Sequence, residues 1–206
     1  MIFSNWPLVI DLRTGAFSGG SGETAVLNAA SAQLSNWLGL PSGVASSMTD
    51  AKAIDAQYGA EKGLTSLAAA LAGGNLIYES SGMTAALLGV SFEAFILDDE
   101  MHSQTYRILR GIEVSSENLG FDAICEAVLG EGHFLGGSHT FAAMERDYVY
   151  PNLANREDPR TWQEKGATDA WGRARAKART VLADHWPTYL SDEQDAQIRA
   201  KFHILS

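Results

Sequence analysis

Residues Pro7-Leu-Val-Ile-Asp-Leu-Arg-Thr-Gly-Ala-Phe-Ser-Gly-Gly-Ser-Gly-Glu23 run from a short apolar segment through a glycine-rich turn. They lead into the alanine-rich Thr24-Ala-Val-Leu-Asn-Ala-Ala30. That order predicts a strand over Pro7–Leu12, a loop, and a helix from Gly22 to Leu38 whose inward face is Leu27, Ala30, Leu34, Trp37 and Leu38. The plan then repeats. Gly43–Ser46 predicts a strand and Ala51–Ala72 a helix, with Ile54, Tyr58, Leu64, Leu67 and Leu71 inward. Asn75–Glu79 predicts a third strand and Ser91–Arg110 a long helix, with Ser91 as N-cap and Glu93 in the first turn. The strand centres Val9, Val44 and Ile77 lie 35 and 33 residues apart, a βαβα rhythm that calls for a parallel sheet.

After Gly111 the rhythm stops. Glu117–Leu129 predicts a helix with Ile124, Cys125, Val128 and Leu129 on one side, followed by the turn-rich Gly130–His139. Asp158–Ala183 carries a stripe of Trp171, Ala174, Ala178, Val181 and Leu182, and Ser191–Phe202 closes as a charged helix with a Ser191/Gln194 capping-box pattern. Three βα units are too few for an eight-stranded barrel, which takes about 250 residues. The pattern alone fits either a compact three-layer α/β domain or the C-terminal part of something larger.

Composition narrows the function classes. With 15 Lys+Arg against 25 Asp+Glu, the net charge of -10 argues against nucleic acid and anionic membranes as partners and suits a cationic ligand or plain solubility. No apolar run approaches the ~18 residues of a membrane span. The start of the sequence shows no secretory pattern, and the single Cys125 fits a reducing cytoplasm, so a cytoplasmic protein is expected.

The glycine loop is not a phosphate cradle. Gly15, Gly19, Gly20 and Gly22 miss the dinucleotide spacing, and no lysine lies between Gly15 and Ala51 to complete a P-loop. What remains is an ordinary tight turn, or a backbone left bare for close approach of a flat or bulky ligand beside Arg13 and Phe17. In the second loop, Ser46-Ser-Met-Thr-Asp-Ala-Lys52, helix capping accounts for Asp50 but not for the apolar Met48. In the third, Tyr78-Glu-Ser-Ser-Gly-Met83, a ring and a carboxylate at a strand end suit an alkylammonium, unless Tyr78 is core and Glu79 solvated. All three loops would share one sheet edge, where parallel folds place their sites. His133 and His139 flank a Gly-Gly turn and make poor zinc evidence, and Asp98-Asp-Glu100 reads as a solvated helix face.

Four blocks in order, RTGAFSGGSGE, SSMTDAKAIDAQYGAEKG, FILDDEMHSQTYRILRGI and GHFLGGSHTFAAMERDYVYP, resemble the trimethylamine methyltransferase (MttB-like) family. The resemblance runs from about Leu12 to His185. It implies an α/β fold, a partial TIM (β/α)8 barrel whose last three or so βα units are residues 1–112, with a helical C-terminal extension over 113–206. The front of the barrel would be absent, making the chain a fragment, a truncated product, or a protein that self-associates or needs another chain. The implied activity moves a methyl group from a tertiary or quaternary amine to the Co(I) of a partner corrinoid protein, with no tightly bound cofactor or metal in this chain. Trimethylamine enzymes carry pyrrolysine in the loop resembling Ser46–Thr49. Ordinary residues at or beside Met48 imply the non-pyrrolysine branch and a donor such as glycine betaine. On that reading the expected substrate contacts are Phe17, Tyr78, Glu79 and His139, the last meeting a substrate carboxylate or the corrin edge, while Arg13, Gly15, Gly19, Gly20, Ser47, Met48, Asp50 and Met83 line loops expected to face the corrinoid. Two alternatives need less: a non-catalytic α/β assembly module, or a small binding protein for a cationic metabolite.

Overall fold

The computed structural model describes residues 1–204. Three parallel strands, β1 (Phe3–Ser4), β2 (Ser42–Ala45) and β3 (Leu76–Tyr78), lie side by side in chain order as an open sheet. Helix α1 (Gly22–Trp37) crosses from β1 to β2, and α2 (Ala56–Leu71) from β2 to β3. Val44 on β2 and Ile77 on β3 are register partners and pack with Ala32, Ala69 and Ala72, so the helices cover that face. The other face carries Gly43, Ala45 and Tyr78, with Leu76 exposed beside them.

The first strand is not where the sequence pattern placed it. Pro7 has no N–H for a ladder, and residues 9–18 fold on themselves instead. Ser18 N–H donates to the Val9 carbonyl and Asp11 N–H to the Ala16 carbonyl, with an antiparallel bridge between Ile10 and Phe17. Asp11 closes this hairpin by accepting from the Arg13 amide at 2.8 Å and pairing with its guanidinium at 2.6 Å. That guanidinium holds the Asp11 carboxyl well below the usual range.

The buried faces of α1 and α2 also differ from the predicted apolar stripes. On α1 the buried residues are Thr24, Ala25, Asn28, Ser31, Ala32 and Ser35, and the predicted stripe of Leu27, Leu34, Trp37 and Leu38 is exposed, Trp37 by 80%. On α2 Tyr58, Lys62, Thr65, Ser66, Ala69 and Ala70 are buried, while Leu64 and Leu71 are exposed. Small and hydroxylic residues let the helices approach the sheet closely. Their hydroxyls bond back into the chain, as Ser35 to the Ser31 carbonyl and Thr65 to the Glu61 carbonyl.

Helix α2 starts at Ala56, not Ala51, because Asp55 is its N-cap and accepts from the Gln57 and Tyr58 amides. A small antiparallel hairpin, β4 (Met83–Thr84) with β5 (Gly89–Val90), follows β3 and had no clear signal. Helix α3 (Phe92–Arg110) is capped by Ser91 as expected.

Beyond it lie α4 (Phe121–Leu129), α5 (Ser138–Asp147), α6 (Pro159–Glu164), α7 (Ala170–Asp184) and α8 (Asp192–Lys201). The striped Asp158–Ala183 segment forms two helices, broken at Gly166 and Ala167, both with positive φ, and restarted by the Asp169 N-cap. The Ser191/Gln194 capping box forms on α8. Glu100 on α3 bolts this helical region down by accepting from the amides of Asn152, Leu153 and Ala154, each at 2.6 Å. Glu100 is therefore not a solvated face residue. None of the described helices is long and apolar enough to cross a membrane.

Candidate functional site

At the C-terminal ends of the strands, three loops meet and are stitched together by carboxylates. Asp50, in the loop after β2, accepts from Ser18 Oγ and the Gly19 amide, both at 2.8 Å, which fastens the glycine loop. It caps no helix; the sequence reading of Asp50 as a cap is corrected on this point. Glu61 on α2 accepts from Thr49 Oγ1 and the Asp50 amide, both at 2.7 Å, which fastens the second loop. Asp98 on α3 accepts the Gly82 amide at 2.8 Å, which fastens the third. The third loop also donates from Ala85 and Ala86 to the carbonyls of Ala51 and Thr49.

The glycines now have a steric reason. A Cβ on Gly19 would lie 3.0 Å from Met48 Cβ and 3.4 Å from the Phe17 ring, and one on Gly20 would meet the Glu61 side chain. Phe17, Gly19 and Met48 are thus brought together, and Met48 is wholly buried among them, as its apolar character in a polar loop implied. Gly15 is different. It has open space around it and a φ of +72°, so the turn's conformation, not crowding, selects glycine.

Of the residues expected to face a corrinoid, Gly19, Gly20, Ser47 and Met48 are buried inside this chain, while Arg13 and Gly15 are exposed. Met83 is half-buried on β4.

Tyr78 lies on the sheet face away from the helices. Its hydroxyl bonds Ser4 Oγ at 2.7 Å, and its ring meets that of Trp6 edge-on, with centroids 6.4 Å apart. Glu79 follows in a left-handed conformation with φ +61°, an uncommon one for a non-glycine residue. His139 is not part of this assembly. It lies on α5 against Gly120, where its Nε2 is buried without a partner, at a cleft of about 790 Å³ between α4 and α5. His133 on the rim of that cleft is half exposed, 3.4 Å from Glu131. Among the described residues no group of three or more His, Cys, Asp or Glu could hold a metal ion.

Beneath the loops is a feature the sequence reading missed. Lys62 and Asp98 form an ion pair at 2.5 Å, with side chains 0% and 1% exposed. Asp98 also accepts from the Tyr58 hydroxyl at 2.7 Å, and the Lys62 ammonium lies 5.1 Å from the Tyr58 ring centroid. Burial, then the adjoining carboxylate, pushes the Tyr58 phenol far above its usual value; burial lowers Lys62, against the pull of Asp98. The signal was present as i, i+4 spacing: Tyr58, Lys62, Ser66 and Ala69–Ala70 share one stripe of α2, and Ala94 and Asp98 share one of α3.

The sequence profile described as trimethylamine methyltransferase (MTTB) matches residues 1–203. The chain belongs to that family. It is 34% identical over 200 residues to the glycine betaine methyltransferase of Desulfitobacterium hafniense strain Y51, covering 97% of this chain and 41% of that protein. It is 33% identical over 202 residues to trimethylamine methyltransferase MttB of D. hafniense strain DSM 10664 / DCB-2, covering 97% and 40%. To MttB of Methanosarcina barkeri it is 36% identical over 179 residues, covering 86% and 35%. The chain therefore spans about two fifths of the length of these curated relatives.

Proposed function

We propose that this chain forms part of a methyltransferase that takes a methyl group from a quaternary amine, such as a betaine, and passes it to the corrinoid of a partner protein. β1–β3 would then be neighbouring strands of a (β/α)8 barrel, with the helix-free face turned to its interior. The observation that carries the reading is the Trp6–Tyr78 ring pair on that face, below the rim of stitched loops. Ring faces attract a desolvated quaternary ammonium, and the Tyr78–Ser4 hydrogen bond fixes one ring in place. Glu79, in its constrained backbone, would balance the positive charge.

The corrinoid, when bound to its own protein, would supply a nucleophilic cobalt. This chain's surface fits approach from outside: Leu12, Arg13 and Leu88 project into solvent at the loop tips. The chain's own work is to bind the cation, orient one methyl group toward the rim, and exclude water. A tetraalkylammonium releases a neutral amine, so it needs no covalent activation. Met48, an ordinary buried side chain in the loop that resembles the pyrrolysine loop, supports a donor of that kind. Names among the relatives favour both glycine betaine and trimethylamine.

The test is cobalt methylation followed by absorbance, with a panel of amines, for the complete enzyme and its Tyr78→Ala, Tyr78→Phe and Glu79→Gln variants. Losing the Tyr78 ring should cost about 2 kcal/mol, roughly 30-fold in kcat/KM, while Tyr78→Phe keeps most activity. Glu79→Gln should raise KM. Equal rates for wild type and all three variants would show that the cation is held elsewhere, and trimethylamine as sole donor would refute the quaternary assignment.

A further inference from the structure

The Lys62–Asp98 pair is used by nothing in the reading above, yet it takes a costly form. Two opposite charges are withdrawn entirely from water, and such pairs commonly add little stability over apolar residues of similar size. Its surroundings suggest what it does instead. Asp98 Oδ2 accepts both the Lys62 ammonium and the Gly82 amide, while Oδ1 takes the Tyr58 hydroxyl. The Lys62 ammonium also reaches the Met83 carbonyl at 3.5 Å, and the Lys62 backbone carbonyl accepts from Ser47 Oγ at 3.4 Å. One turn of α2 therefore touches the second rim loop through Ser47 and the third through Met83, and α3 joins through Asp98. Gly82 has a φ of +76° and a Cβ there would collide with the Phe95 ring, so glycine supplies the backbone conformation in which its amide meets Asp98.

We propose that Lys62 and Asp98 are positioning residues: the buried pair sets the 79–84 loop, with Glu79 and Met83, against the 46–51 loop, and thereby sets the binding of the methyl donor. This rests on the methyl-transfer reading. A displaced loop misplaces the cation's partners, and errors of about 1 Å in such placement can cost on the order of 100-fold in kcat/KM. A purely structural pair would affect only stability, and the two roles separate in one set of variants.

In the complete enzyme, Lys62→Met and Asp98→Asn should each raise KM for the amine about tenfold or more while kcat falls less. The double variant Lys62→Met/Asp98→Leu leaves no unpaired charge, so its thermal midpoint should lie above that of Lys62→Met, which strands the Asp98 carboxylate, yet below wild type, because Gly82 N–H and Tyr58 O–H lose their acceptor. Its KM should stay high for that same reason. Amide hydrogen exchange over residues 80–87 should be faster in all three. A double variant that regains both stability and KM, or single variants with unchanged KM, would overturn the proposal. Should the wild type accept a methyl from no amine, methyl transfer falls, and protection of the Gly82 amide then decides alone whether the pair sets the loop: unchanged exchange overturns it, faster exchange sustains it.

Discussion

Gly20→Ala is the sharpest test of the stitched rim. Gly20 is buried, and a methyl group there would stand 2.7 Å from Glu61 Cδ and 2.9 Å from Glu61 Cβ. The carboxylate cannot swing away freely, because it holds Thr49 Oγ1, the Asp50 amide and the Gln57 side chain, each at 2.7 Å. Overpacking of this kind costs about 1–3 kcal/mol, and losing a hydrogen bond to a charged group about 1.5–3 kcal/mol. The substitution either compresses the contact or breaks a bond, so a net loss of about 1–3 kcal/mol is expected. At about 2–4 °C per kcal/mol for a chain of this size, the midpoint should fall by about 2–12 °C.

Two comparisons make the assay specific. Gly22→Ala lies two residues on, with no atom within 4 Å of the added carbon and no positive φ at the first turn of α1, so it should be neutral or gain up to about 1 kcal/mol. Glu61→Ala should itself destabilise, but Gly20→Ala added to it should cost less than it does in wild type, because the carboxylate is gone and only the residue 61 Cβ contact at 2.9 Å remains. Urea unfolding of the four proteins gives the cycle. Equal costs for Gly20→Ala with and without Glu61 would refute the argument that this carboxylate selects glycine.

Two further expectations concern pH and association. The Tyr58 phenol is held above its ordinary value of 10.0, chiefly by burial; the folded state binds its proton more tightly, so its contribution is complete below pH 10 and is lost as pH rises above it. Lys62, lowered by burial, acts with the opposite sign, and both proteins carry it. Urea midpoints across pH 8–11 should therefore fall less steeply at the alkaline end for Tyr58→Phe than for wild type, and parallel profiles would exclude the linkage. The exposed Leu34, Trp37 and Leu38 on α1, with Leu64 and Leu71 on α2, should make this chain self-associate in sedimentation experiments despite its net charge. Leu34→Glu with Trp37→Glu should reduce this, and a wild-type monomer that binds no apolar dye would contradict it.

How much was legible follows from which signals are local. The short apolar runs around Val44 and Ile77, the Ser91 cap and the Ser191/Gln194 box are each written within a few residues of sequence, and each has its structural counterpart. The three loops could be placed on one edge for the same reason. The first strand failed because Pro7–Leu12 has strand composition but finds a nearer partner, its own turn, through Asp11. The carboxylates that hold the site were missed because their meaning is non-local. Asp98 looks like one more acid in Asp98-Asp-Glu100 until α2 brings Lys62 and Tyr58 to it across 36 and 40 residues.

The misread helix faces have a more general cause. Periodicity reports where apolar residues lie, not which face a sheet will accept. Where α1 meets β2, Ala32 and Val44 are wholly buried and Asn28 Nδ2 donates to the Ala45 carbonyl at 2.7 Å. A leucine stripe would hold helix and sheet farther apart and could not supply that bond, so the small polar stripe goes inward and the leucines remain outside. The residues that looked most like core are thus the ones available to another surface. Asp98, read as solvated, and Thr24, Asn28 and Lys62, which lie outside the predicted apolar stripes, form the buried frame beneath the rim. Thr24 shows the link directly: its hydroxyl donates to the Ser18 carbonyl at 2.6 Å, tying the inward stripe of α1 to the loop that Asp50 fastens from the other side.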